Sequence, residues 1–256
     1  MIHRLTFLAY ALTALSFAAC GDLNVADGEL SRVTYALHSD YLTENVALTE
    51  VSLITGHVQP ISTGLTLEGR TVAGDKAALI EHVATPGSGV EITHHASFAN
   101  HEIRSFDLEV TTPGTITVAG LLDGEVFDQI QLTFDTPSDL ELLTRTRAPY
   151  SDDWEDLDDD ETLVAEGSQV AFLPIPIDAS GARLAGNFEV DVQAEPSWAV
   201  SPSWNVLGVY EQSIIGSPSP VSLYFIEPGL VTVTLTDLAN GVSATRHFEV
   251  LPVEGD

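Results

Sequence analysis

Apolar and polar residues alternate along most of this chain, which is the pattern of half-buried β-strands. The stretch "SFDLEV" is typical, because it places Phe106, Leu108 and Val110 on one side. The same alternation recurs in runs with Ile116 and Val118; Ile130, Leu132 and Phe134; Val231, Val233 and Leu235; and Phe248 and Val250. The pattern predicts an all-β chain. One stretch, "GDKAALIEHV", fits a short helix capped by Asp75 as well as it fits a strand.

Two dipeptides lie between paired runs of this kind, Asp123-Gly124 and Asn240-Gly241. A type I′ turn needs positive φ at both central residues, so Asp-Gly and Asn-Gly are strong signals for two-residue hairpins. Both positions are therefore predicted to be type I′ turns.

The two predicted hairpins also match each other, since each follows a Pro-Gly pair, Pro113-Gly114 and Pro228-Gly229. A weaker match lies upstream, where Gly56 and Gly167 follow similar short apolar runs. We interpret the chain as a tandem duplication, with one unit over 27–135 and a second over 138–253. Units of roughly 110 residues built from short strands and frequent turns predict β-sandwiches.

The closing Pro-Gly-strand-turn-strand pattern of each unit resembles bacterial immunoglobulin-like domains of surface proteins. The resemblance implies two tandem immunoglobulin-like β-sandwich domains in a binding, adhesive or spacing role. It carries no catalytic residue onto this chain.

The amino terminus has a different pattern, in which Arg4 precedes an apolar run over 5–17. The run is too short to cross a bilayer, which needs about 20 residues, but has the length of a secretory signal core. "FAAC" resembles the lipobox of bacterial lipoproteins, with Phe17 where the class usually has Leu. The resemblance implies a signal peptide over 1–19, lipidation of Cys20 and a tether over 20–26. Alternatives are an ordinary secretory signal and a buried N-terminal segment.

The composition narrows the partners of the chain. Its 38 acidic and 9 basic residues give a formal charge of −29, and the leader removes only Arg4 from this balance. Nucleic acid is excluded as a partner because it repels such a chain. The single cysteine, Cys20, leaves no intramolecular disulfide, so the units must fold by burial alone. We expect a cell-envelope protein held by lipid, at the periplasmic or surface face of the outer membrane.

An acidic loop, "SDDWEDLDDDE", covers 151–161 and is the densest charge run in the chain. Dense carboxylates favour calcium, but Glu161 and Gly167 stand where an EF-hand needs Gly and Glu. The alternative is a solvated loop, as charge runs usually are. The candidate calcium ligands are Asp152, Asp153, Asp156, Asp158 and Asp160. No cofactor is expected unless this loop binds calcium.

Two further clusters are candidates for binding. His94, His95 and His101 are interpreted as scattered surface histidines in preference to a zinc site, because adjacent residues of a strand face opposite ways. Trp198 and Trp204 recur in "PSWAVSPSW", and their even spacing would place both indoles on one face of a strand to stack on sugars. The competing interpretation, that these indoles are core or loop anchors, is the favoured one.

No enzyme signature is found, since "TPGSGVE" and "IIGSPSP" lack the G-x-S-x-G elbow. We therefore expect a non-catalytic envelope lipoprotein that presents two β-sandwiches for binding, adhesion or spacing to a protein or polysaccharide ligand. Alternatives are a carbohydrate-binding module that uses Trp198 and Trp204, and a secreted hydrolase whose site is assembled from loops.

The lipobox resemblance makes a direct prediction about covalent structure. Intact-mass measurement of detergent-extracted protein should show a chain that begins at Cys20 and carries acyl groups. An unmodified thiol on a chain that keeps residues 1–19 would contradict the lipoprotein interpretation.

Overall fold

The protein consists of two β-sandwiches in tandem. The computed structural model describes residues 23–30, 32–38, 48–67, 70–72, 80–85, 89–94, 104–149, 151, 153–158, 162–203 and 221–253. Over these residues the chain is strand and turn, with one short 3₁₀ turn at Ser197–Ala199. The described part contains no helix long and apolar enough to span a membrane. Cys20 and the predicted signal peptide lie outside the described residues.

The described residues of the N-terminal sandwich form ten strands in two sheets. One sheet has the order β1-β2-β4-β8-β7, with β5 paired to β4, and the other has the order β3-β10-β9-β6. The strands are β1 (Leu23–Asp27), β2 (Val33–His38), β3 (Ser52–Ile54), β4 (Val58–Leu67), β5 (Arg70–Val72), β6 (Glu81–Thr85), β7 (Val90–His94), β8 (Arg104–Val110), β9 (Gly114–Leu122) and β10 (Glu125–Asp135).

In the C-terminal sandwich the described part of the chain forms nine strands, also in two sheets. Their orders are β12-β11-β14-β17-β16 and β13-β19-β18-β15. The strands are β11 (Asp139–Arg147), β12 (Glu155–Asp156), β13 (Leu163–Ala165), β14 (Gln169–Ile177), β15 (Val190–Glu195), β16 (Val200–Ser203), β17 (Val221–Phe225), β18 (Gly229–Asp237) and β19 (Ser243–Leu251).

The two sandwiches share one topology. Strands β3, β4, β8, β9 and β10 pair in the same order and directions as β13, β14, β17, β18 and β19, including a parallel pair, β3–β10 and β13–β19. Strand β5, which pairs with β4, has no counterpart among the described strands. Gly56 and Gly167 follow β3 and β13 with φ of 81° and 80°. The prediction of two immunoglobulin-like sandwiches is confirmed, and the weak upstream match proves to be structurally equivalent.

The alternation predicted from sequence defines both cores. Phe106, Leu108 and Val110 are almost completely buried, as are the inward residues of β9, β10, β18 and β19. The N-terminal core joins both of its sheets, as does the C-terminal core. Burial of these faces is the main stabilising contribution in a chain without a disulfide.

The two predicted turns have different outcomes. Asp123 and Gly124 have φ of 54° and 82° and close a two-residue loop between Leu122 and Glu125, so this type I′ turn is confirmed. At Asn240-Gly241 the hairpin forms but only Gly241 has positive φ, and the loop spans 238–242. A type I′ turn is wrong there, because Asn240 has other hydrogen-bond partners that fix a longer loop.

Strand β1 begins at Leu23 and pairs with β2 from Leu23↔His38 to Asp27↔Thr34. It therefore uses residues 23–26, which were expected to be tether. The last strand of the N-terminal sandwich, β10, ends at Asp135, and the first strand of the C-terminal sandwich, β11, begins at Asp139.

The N-terminal core also contains polar groups. Asp128 is fully buried and accepts hydrogen bonds from the backbone N–H groups of Leu30, Arg32 and Val33, which fixes the turn before β2. His82 is buried and stacks on Phe106 at 4.6 Å between ring centroids. Burial, and then the charge of His94, lower the pKa of His82 to about 4.

The lowered pKa predicts acid sensitivity. A neutral imidazole is favoured in the fold, so stability should be lost as the pH falls from 6.5 towards 4. In His82→Phe this loss should shrink by about 3 kcal/mol over the whole interval, measured by urea unfolding at several pH values. Parallel pH profiles for the two proteins would contradict the assignment.

Candidate functional site

A short extended segment of the C-terminal sandwich joins it to the N-terminal one. Arg183 forms an antiparallel bridge with Ile177 of β14, and Ala185 forms a parallel bridge with Leu53 of β3. The N–H of Ala185 donates to the carbonyl of Ser52 at 2.8 Å, and the N–H of Ile54 donates back to Ala185 at 2.9 Å. Backbone hydrogen bonding therefore runs from one sandwich into the other. We call this region, built from residues 52–59, 183–188 and 237–240, the junction.

Gln59 holds the junction through its side-chain amide. It is completely buried at the start of β4. Its Nε2 donates to the carbonyl of Asn187 at 2.9 Å, and its Oε1 accepts from the N–H of Asn187 at 2.7 Å. Gly186 is required beside it, because its φ is 115° and a Cβ there would overlap the Gln59 amide.

His57 and Asp237 form a second contact across the junction. His57 Nε2 lies 2.6 Å from Asp237 Oδ1, and both side chains are buried. The imidazole packs edge-on against Phe188, with ring centroids 6.0 Å apart. Burial raises the pKa of Asp237, but hydrogen bonds from His57, Asn240 and the Ala239 N–H outweigh it and hold that pKa below its ordinary value.

Asn240 and an apolar cluster complete the junction. Asn240 Nδ2 donates to Asp237 Oδ2 at 2.9 Å and to the carbonyl of Thr55 at 3.0 Å. Ile54 of the N-terminal sandwich packs in a buried cluster with Leu140, Leu184 and Phe188 of the C-terminal sandwich. Polar and apolar contacts thus hold the same interface.

The sequence contains one overlooked signal of this junction. In "HVQPI" the alternation is inverted, since Val58 is 43% exposed while Gln59 is fully buried on the same side as Ile61. Asp237 likewise continues the inward series of Val231, Val233 and Leu235. A polar residue at a core position needs a hydrogen-bond partner, so both positions indicate a buried polar contact.

A second surface of interest is an open groove at the edge of the C-terminal sandwich. It has a volume of about 910 Å³ and is lined by residues 192–198 and Thr232. Trp198 lies in the 3₁₀ turn that links β15 to β16, and 65% of it is exposed. A core role is therefore wrong for Trp198. Trp204 lies outside the described residues, so the two-indole sugar platform stays a prediction.

The acidic loop is in part a strand. Glu155 and Asp156 form β12, and Asp156 accepts a hydrogen bond from Arg145 Nε at 2.8 Å. The guanidinium of Arg147 lies over the Trp154 ring, with its Cζ atom 5.2 Å from the ring centroid. Asp153 and Asp158 are exposed, and Asp152 and Asp160 lie outside the described residues.

Within the residues that the structure describes, no three acidic, histidine or cysteine side chains are grouped to hold a metal. Calcium binding by the loop stays a prediction. Of the three histidines near residue 100, only His94 is described, and its Nε2 hydrogen-bonds the carbonyl of His82 at 3.0 Å.

A scan against protein-family models and a search of curated proteins find no match for this chain. Among solved structures, domains 4 and 5 of the S-layer protein SbsC are 13% identical, with 89% of this chain and 99% of that chain covered and a TM-score of 0.29. The Escherichia coli adhesin FdeC is 13% identical, with 86% and 74% covered and a TM-score of 0.33. A glycosyl hydrolase family 2 member from Bacteroides cellulosilyticus is 13% identical, with 77% and 23% covered and a TM-score of 0.30. The fold assignment rests on the sheets described above.

The exposure of Trp198 predicts a clear contrast between two aromatic residues of one sandwich. Trp198→Ala should change the free energy of unfolding by less than about 0.5 kcal/mol, as for other exposed positions. Phe225→Ala, which removes a fully buried ring, should cost about 3–5 kcal/mol in the same urea titration. A loss from Trp198→Ala comparable to that from Phe225→Ala would contradict its placement.

Proposed function

We propose that this protein is a non-catalytic, lipid-anchored protein of the bacterial cell envelope. Two immunoglobulin-like sandwiches are held in a fixed arrangement and present a binding or adhesive surface. The observation that carries this proposal is the junction, because its hydrogen bonds and apolar contacts restrain how the sandwiches sit.

The surroundings of the His57–Asp237 pair fit a structural contact between the sandwiches better than a catalytic dyad. Asp237 is fully buried, and both of its oxygens accept hydrogen bonds, from His57 and Asn240. The imidazole is 7% exposed and packs against Phe188. Substrate needs access to a catalytic base, and neither partner of this pair offers it. The burial of this pair therefore favours a structural role for it over a catalytic one.

The position of Cys20 supports presentation close to the membrane. Only Gly21 and Asp22 separate Cys20 from β1, so the anchor would lie within about 10 Å of Leu23. Leu23 pairs with His38, and the neighbouring Leu37 pairs with Ile61, close to the junction end of β4. The lipid anchor on Cys20 would therefore be attached to the N-terminal sandwich near the junction. That geometry favours presentation of both sandwiches beside the membrane over a spacer that stands upright.

The junction predicts that the two sandwiches unfold together. Scanning calorimetry of the intact protein should show a single transition. Gln59→Ala removes the hydrogen-bond partner of the Asn187 N–H and C=O groups, which should lower the free energy of unfolding by about 2 kcal/mol. The variant should therefore separate the transition into two or lower its midpoint.

Gln193→Ala is the matched control, since the Gln193 side chain is exposed on β15 and donates to Asp191 of the same strand, away from the junction. It should leave the calorimetric profile unchanged. Two independent transitions in the unaltered protein, at temperatures that Gln59→Ala does not move, would refute a structural coupling.

A further inference from the structure

The groove beside Trp198 runs along a sheet edge that no other described strand covers. Among the residues that the structure describes, β15 is the last strand of its sheet and pairs only with β18. Its register with β18 is continuous from Val190↔Asp237 to Glu195↔Thr232, without a bulge. Six regular residues with an open side are a template for another extended chain.

The pairing phase shows which backbone groups are directed outward. The N–H of Leu238 donates to the carbonyl of Glu189 at 3.0 Å, which makes these two residues a hydrogen-bonded pair. Hydrogen-bonded and non-bonded pairs alternate along antiparallel strands. Asp191, Gln193 and Glu195 therefore bond to β18, whereas Val190, Val192 and Ala194 direct their N–H and C=O groups to the open edge.

The other described edges of this sandwich are shorter or blocked. β16 has four residues and includes Pro202, β13 has three residues, and β12 has two. Short strands and proline are the usual devices that prevent edge pairing. β15 has neither device within its length.

The side chains of β15 select the chemistry of an added strand. Val190, Val192 and Ala194 pack on the core, while Asp191, Gln193 and Glu195 are exposed on the outer face. Antiparallel pairing of two copies about Gln193 would place Asp191 of one copy opposite Glu195 of the other. Like charges directly opposite are destabilising, so self-pairing is disfavoured and a strand with basic residues at every second position is favoured.

We propose that β15 accepts an extended, basic segment of a partner protein as an added strand, with Trp198 packing against its end. The inference rests on the proposed binding role and names the class of partner. Lysine or arginine at alternate positions would lie opposite Asp191 and Glu195. The exposed indole of Trp198 offers a face for an apolar or cationic side chain.

The test uses synthetic peptides and the full mature chain. A labelled acetyl-KVKVKV-amide should bind in fluorescence anisotropy, and the acidic peptide acetyl-EVEVEV-amide should not. Hydrogen exchange followed by NMR should show new protection at the N–H groups of Val192 and Ala194. Binding without that protection, equal binding of both peptides, or no binding would overturn the proposal.

Two variants separate edge pairing from general charge attraction. The double variant Asp191→Lys with Glu195→Lys should bind the acidic peptide more tightly than the basic one. Its affinity for the basic peptide should fall by at least about tenfold, or ~1.4 kcal/mol. Val192→Pro removes an outward N–H and should abolish binding while pairing with β18 persists. An unchanged preference in the double variant would overturn the proposal even if Val192→Pro fails to fold.

Binding to immobilised polysaccharide tests sugar as the alternative ligand of this groove. Retention on immobilised polysaccharide that Trp198→Ala abolishes, together with no response to the basic peptide, would replace the strand-addition proposal with sugar binding. The calorimetric test of the junction is independent of both peptides, so failure here leaves the fixed two-sandwich arrangement standing.

Discussion

The structure depends on buried polar groups whose partners lie in the other sandwich. Gln59 and His57 belong to the N-terminal sandwich, and their hydrogen-bond partners, Asn187 and Asp237, belong to the C-terminal one. A hydrogen bond that is exchanged for one to water contributes a net of about 0.5–1.5 kcal/mol. Separation of the two sandwiches would break the hydrogen bonds of Gln59 and His57 to the other sandwich and would also expose the apolar surface around Ile54 to water. The junction therefore couples the stability of each sandwich to the position of the other.

The junction also explains where the two copies differ. In the N-terminal copy the last hairpin closes through the two-residue turn at Asp123-Gly124. In the C-terminal copy the equivalent hairpin closes through residues 238–242, beside Asp237, whose carboxylate bonds to His57. Asn240 in that loop bonds to both Asp237 and Thr55. The connection between β14 and β15 likewise supplies Arg183–Ala185, Gly186 and Asn187. Strands common to both copies make the two cores, and loops that differ between the copies supply Asn187 and Asn240 to the junction.

Strand alternation and turn chemistry were sufficient to predict the all-β fold, its two copies and the residues that fill both cores, because each depends on neighbours close in sequence. The hydrogen bonds across the junction join residues 128 to 185 positions apart, and no local pattern specifies such partners. The same distinction explains Asn240, whose local sequence favours a type I′ turn but whose hydrogen bonds to Thr55 and Asp237 favour a longer loop. Trp198 is exposed because it lies in a 3₁₀ turn at the end of β15. The spacing between Trp198 and Trp204 in the sequence does not predict that turn.

The central claim is that the two sandwiches keep one arrangement in solution. Residual dipolar couplings of the backbone N–H groups, measured for both sandwiches in one weakly aligned sample, test it most directly. Our account predicts that the couplings from each sandwich give the same alignment tensor in magnitude and orientation when fitted to this structure. Different tensor magnitudes for the two sandwiches would show independent reorientation and contradict the account.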